Sequence, residues 1–104
     1  MPAPTIAVVQ IGNSDDKLTQ EEWSQFCAST HSTVFSRAYQ QRIHFYGFAP
    51  SDAPWQNACW VFELSTNPEV TSDLHNALAV VARNYRQDSI ALTIGETTFV
   101  KAKA

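Results

Sequence analysis

Apolar residues in this chain keep two rhythms, one recurring every three to four positions and one alternating or running unbroken over a handful. The first is clearest after Asn67, where Val70, Leu74, Ala77, Leu78, Val81 and Tyr85 fall on one face of a 3.6-residue period. Asn67 can cap the free amides there and Pro68 fits the first turn, so a helix is predicted from Pro68 to Arg86. Arg83 and Arg86 near its end suit the helix dipole. A second helix is predicted from Thr19, because Thr19-Gln20-Glu21-Glu22 has the form of a capping box and Trp23, Phe26, Cys27, Thr30 and Val34 keep helical spacing. Its far end is set near Arg37, since Ser29 to Ser36 is crowded with poor helix formers.

The second rhythm marks strands. Thr5 to Ile11 (TIAVVQI) is a β-branched run between prolines and Gly12-Asn13. Arg42 to Phe48 (RIHFYGF) alternates so that Ile43 and Phe45 share one face and His44, Tyr46 and Phe48 the other. Ala58 to Leu64 (ACWVFEL) puts Trp60, Phe62 and Leu64 on one face and Cys59, Val61 and Glu63 on the other. Ser89 to Ile94 (SIALTI) follows the second helix, and Gly95-Glu96 is read as a hairpin turn into a fifth strand, Thr97 to Lys101, blunted by its lysines. The order is β-α-β-β-α-β-β. Its first six elements make two right-handed β-α-β halves, which predicts an α+β fold: a ferredoxin-like βαββαβ sandwich with an extra C-terminal edge strand. Helices would then cover one face of the sheet and leave the other open, with His44, Tyr46 and Phe48 the rings left over.

Composition narrows the field without naming an activity. At 104 residues and 44% hydrophobic, residues 1–104 fit one domain with its own core. A net charge of -3 and scattered basic residues argue against a nucleic-acid partner. Charged residues are only 16% against 12% aromatics, which suggests exposed rings that meet a partner. Cys27 and Cys59 show no CxxC or Cys/His spacing, so free thiols are expected and neither a metal nor another cofactor is implied. Met1-Pro2-Ala3-Pro4-Thr5 lacks the pattern of a secretion signal and no run approaches a membrane span, so a cytoplasmic protein with no membrane partner is expected.

No catalytic constellation stands out, and the candidate residues are binding residues. Asp15 and Asp16 follow a strand and precede a helix, where carboxylates can ligate a cation or act as a base, or simply face water in a turn favoured by the dipole. His44 and Tyr46, two apart on a strand, are read as an acid-base pair or as ordinary half-exposed strand residues. Trp55 and Asn57 close a proline-punctuated loop, Ala49 to Asn57, of the kind that recognises a partner. His31 and His75 fall on the helices, where exposed positions are expected.

Two stretches carry a likeness: Ile11-Gly12-Asn13-Ser14-Asp15-Asp16-Lys17-Leu18-Thr19-Gln20-Glu21-Glu22-Trp23, and Tyr85-Arg86-Gln87-Asp88-Ser89-Ile90-Ala91-Leu92. In them the chain resembles small bacterial α+β proteins of unknown function, with an acidic loop leading to a Glu-Trp helix and a Tyr-x-Gln-Asp/Glu-Ser helix end before an apolar strand. The resemblance implies an α+β sandwich and no assigned activity. The residues favour a small acidic non-enzymatic interaction module, of inhibitor, immunity or phage-antagonist type, with a protein partner and a homodimer formed through the sheet face. The competing expectation is a dimeric small-molecule binder or enzyme with a pocket near His44, Tyr46, Trp55 and Trp60.

Overall fold

The computed structural model describes residues 4–13, 17–50 and 55–103. The β-branched run at the front forms β1 (Thr5–Gly12), in which Ala7, Val9 and Ile11 are buried and Gln10 is exposed, the period of two expected of a strand with one covered face. Helix α1 (Gln20–Arg37) follows, then a single 3-10 turn (Tyr39–Gln41), β2 (Ile43–Phe48), β3 (Asn57–Leu64), α2 (Pro68–Asn84) and β4 (Ala91–Gly95). The strands form one sheet in the order β2-β3-β1-β4, and every neighbouring pair is antiparallel. The fold is therefore α+β, four antiparallel strands with two helices, and is compatible with a ferredoxin-like sandwich.

The core lies between one sheet face and the helices. Val9 sits between Trp60 on β3 and Leu92 on β4, and Ala7 between Phe62 and Ile94, so each row of the covered face mixes a small or branched residue with a large one. Onto these rows α1 lays Trp23, Phe26, Cys27, Thr30 and Val34, and α2 lays Leu74, Leu78 and Val81. The helices also meet each other, where the Phe26 and Tyr85 rings stack at 5.1 Å and the Tyr85 hydroxyl lies 2.8 Å from Ser29 Oγ. The threonines predicted to weaken α1 are accommodated inside it: Thr30 and Thr33 donate their hydroxyls to the carbonyls of Phe26 and Ser29, one turn back.

Both helix starts follow the sequence. Thr19 Oγ1 accepts from the Glu22 amide at 3.1 Å and a Glu22 carboxylate oxygen accepts from the Thr19 amide at 3.1 Å, the reciprocal pair of a capping box. Asn67 Oδ1 accepts from the Glu69 amide at 2.9 Å. The end of α2 comes two residues before the expected Arg86, because Arg86 takes the left-handed conformation (φ 56). The Gln87 amide then bonds the Ala82 carbonyl at 2.8 Å and the Arg86 amide the Arg83 carbonyl at 3.2 Å, which is a Schellman stop with arginine where glycine is usual. The Arg86 guanidinium is held by Glu22 Oε2 at 2.8 Å and by the Lys17 carbonyl at 3.2 Å, so this stop is tied to the start of α1.

The expected fifth strand is absent from the structure. Residues 96–103 form no strand, and every one is exposed. A two-residue hairpin needs positive φ at its first central residue, yet neither Gly95 nor Glu96 has it, and Gly95 stays in β4 opposite Ile6. The chain thus runs on past β4 without turning back.

The Thr19 amide, and after it the Arg86 side chain, hold the Glu22 carboxyl below its ordinary value. A lowered folded-state pKa contributes stability that is complete above the unfolded value, about 4.3, and is lost as the pH falls through the folded value. Urea unfolding of the wild type and Glu22→Gln across that acid range is expected to show a shallower acid limb in the variant. Parallel limbs would show that the carboxylate contributes nothing in acid.

Candidate functional site

The geometry of the sheet is decided by one irregularity in β2. Its register against β3 slips between Ile43 and Phe45: Ile43 pairs with Phe62, Phe45 with Val61 and Tyr46 with Trp60. Directly opposed residues share a face, so the extra residue puts Phe45 on the open face and Tyr46 on the helix face. The expected faces, Ile43 with Phe45 and His44 with Tyr46, are thereby corrected. His44 and Tyr46 are not an acid-base pair. His44 Nε2 lies 3.0 Å from Glu63 Oε2 on the open face, with Arg42 Nη1 3.8 Å from the same oxygen.

On the open face, Phe45, Val61, Val8 and Thr93 form one row across all four strands. Phe45 is 57% exposed, and its ring lies so close over Gly47 that a Cβ there would meet Phe45 Cζ at 2.7 Å. Cys59 and Gln10 make the row on one side of it, and Glu63 and Ile6 the row on the other. The result is an apolar stripe with a polar corner of Arg42, His44 and Glu63 at the β2 edge.

On the helix face, Tyr46 packs edge-on against His31, with ring centroids 4.9 Å apart. His31 is half-buried rather than exposed, because its Nδ1 accepts the indole N–H of Trp60 at 3.0 Å. With Nδ1 as acceptor, the neutral ring carries its proton on Nε2. No periodicity reveals this bond, since it joins residues 29 apart through the stacking of α1 on β3. His75, on α2, is exposed as expected.

Trp55 and Asn57 do come together. With Trp23, Phe48, Pro50 and Gln56 they surround a shallow cavity of about 290 Å³ at one end of the sheet, where Trp55 is 54% exposed. Asp15 and Asp16 lie outside the described residues, as does the loop segment 51–54. Asn13, which opens the acidic loop, is buried: its amide nitrogen donates to the Leu18 carbonyl at 3.1 Å and to Gln56 Oε1 at 3.0 Å, and its oxygen accepts from the Leu18 amide at 3.0 Å. Asn13 therefore ties the end of β1 to Leu18, just before α1, and to Gln56, just before β3.

Sequence reasoning missed a cavity of about 610 Å³ between α2 and β4, lined by Leu78, Ala82, Ile90 and Leu92 with Arg83 and Asp88 beside them. A second hollow of about 510 Å³ continues it past His75 to Ile94. Together they make a groove along the outer edge of β4. Ile94, on the covered side opposite buried Ala7, stays 42% exposed because α2 does not reach over it.

Nucleophile and metal chemistry find little here. Burial pushes the Cys27 thiol up to about 11, so it is a protonated core group, and Cys59 is a free, half-buried thiol on the open face. Among the described residues no group of three or more His, Cys, Asp or Glu side chains is placed to hold a metal, and no helix is long and apolar enough to cross a membrane.

Two outcomes test this geometry. A thiol reagent is expected to modify Cys59 in the native protein and Cys27 only after unfolding; equal native rates would contradict the burial of Cys27. His31→Ala, which leaves the buried Trp60 N–H unpaired, is expected to destabilise the fold by about 1–3 kcal/mol in urea titration, and a neutral result would show that water replaces the imidazole.

Comparison with family models, with curated proteins and with solved structures finds no match to this chain.

Proposed function

We propose that this chain is a ferredoxin-like sandwich serving as a small acidic, non-enzymatic interaction module, whose open sheet face binds a protein surface, a second copy of the chain first among them. The observation that carries this reading is the row of Phe45, Val61 and Val8, an apolar stripe on the sheet face that the helices do not cover, with a polar corner at Arg42, His44 and Glu63. Flat apolar patches bounded by polar groups are a common form of protein interface, and Phe45 over Gly47 has the exposure and the fixed position of an anchor. The net charge of -3 suits an inhibitor or immunity protein that meets a basic surface.

The alternative, a small-molecule binder or enzyme at His44 and Tyr46, loses its pocket, because the β2 bulge puts those side chains on opposite faces. Trp60 is fully buried and its N–H is occupied by His31, so it lines no pocket either.

Equilibrium sedimentation of wild type and Phe45→Asp tests the reading. Wild type is expected to associate reversibly and Phe45→Asp to do so at least about tenfold more weakly, a loss of about 1.4 kcal/mol. Equal association by both proteins would remove the open face from the interface.

A further inference from the structure

The edge of β4 and the segment that follows it have complementary needs. β4 ends the sheet, so one side of its backbone presents unpaired N–H and C=O groups. Beside that edge runs the groove under α2, with Ile90, Leu92 and Ile94 on its floor. Immediately after β4 come Glu96–Lys103, exposed throughout, in which Thr97-Thr98-Phe99-Val100 are residues of high strand propensity. Phe99 is 86% and Val100 96% exposed, the two most exposed large apolar residues described.

We propose that Thr97–Lys101 is the edge strand of a second copy of this chain: it pairs with that copy's β4, and the partner's segment returns the contact. Three features select a second copy over the chain's own β4. Gly95 and Glu96 make no reversal, so the segment leads away from its own edge, whereas a partner related by a two-fold axis receives it without any turn. The reach fits, since five paired residues extend roughly 17 Å at 3.4 Å per residue, the length of β4 itself. The charges also fit, because Lys101 and Lys103 arrive toward the end of β4 where Asp88, with no cation in ion-pair distance among the described residues, rims the groove.

Alternation then places both exposed side chains. Successive residues of an added strand face opposite sides, so one of Phe99 and Val100 enters the groove against Leu78, Ala82 and Leu92, and the other extends the open-face row beyond Thr93. The backbone pairing lies at the β4 edge, across the sheet from Phe45 on β2, and the two contacts together are compatible with a closed tetramer of D2 symmetry.

Light scattering on sized wild type, Phe99→Ser/Val100→Ser, Phe45→Asp and Ala79→Glu, with amide hydrogen exchange across residues 91–101, tests the proposal. Phe99 and Val100 are solvent-exposed, so their replacement leaves the fold intact. Wild-type association that drops by one two-fold step in Phe99→Ser/Val100→Ser, is lost likewise when Ala79→Glu crowds the groove, and is accompanied by slow exchange of 97–101 establishes the strand exchange whatever Phe45→Asp does. Association abolished by Phe45→Asp and untouched by Phe99→Ser/Val100→Ser overturns it and leaves the open-face reading standing. A monomer with protected amides at 97–101 also overturns it, in favour of a fifth strand on the chain's own sheet. A monomer with rapid exchange there overturns both proposals of self-association.

Discussion

The structure depends on hiding one indole. Trp60 is 1% exposed at the centre of β3, and an indole N–H buried that deeply must find an acceptor or cost the fold the full desolvation of a donor. His31 Nδ1 supplies it at 3.0 Å, and that bond ties α1 to β3. Cys27 and Val34 lie one turn from His31 on either side and are buried with Phe26 and Thr30, and Phe35 and Tyr46 lie against the imidazole. Trp60 also faces Val9 across β1 and Tyr46 across β2, so the same side chain keys three strands and a helix.

Local signals in the sequence report this arrangement well where the physics is local. The capping box at Thr19 and Glu22 and the Asn67 cap are short-range hydrogen bonds between residues two or three apart, and the strands announce themselves by apolar alternation over five to eight residues. Features that depend on a partner distant in sequence are not legible. The bulge at His44 is one, since parity along β2 is fixed by what β3 offers opposite it and not by β2 itself; a strict period of two therefore assigned Phe45 to the wrong face. The left-handed Arg86 is another: a non-glycine residue there is strained, and the compensation comes from Glu22 and the carbonyl of Lys17 at the other end of the chain.

The candidate site was legible in its ingredients and not in its assembly. Exposed rings were expected from the ratio of aromatics to charges, and Phe45, Tyr46, Phe48 and Trp55 are all more than half exposed. Which of them act together is decided by the bulge, which leaves Phe45 alone over Gly47 on the open face and sends Tyr46 to the opposite one. Asn13 shows the converse case. Its polarity suggests an exposed turn residue, but its side-chain amide bonds Leu18 and Gln56, residues 5 and 43 positions away, and is buried by them.

Exposed apolar surface is distributed unevenly, and its distribution follows from the topology. Two helices are too narrow to roof four strands fully: α1 and α2 bury the covered face of β3 and β1, the central pair, and cover the edge strands only in part, at Ile43, Tyr46 and Leu92. At the β2 edge the shortfall leaves Phe48 and Trp55 around a shallow cavity; at the β4 edge it leaves Ile94 and the groove below Leu78 and Ala82. The unroofed face adds Phe45. By contrast, the outer side of α2 carries Glu69, Asp73, Asn76, Arg83 and one large apolar residue, Val80. A chain that spreads its charge over the helices and concentrates its rings and branched residues on sheet edges and the sheet face has one economical way to bury them, which is to continue the sheet or to cover it.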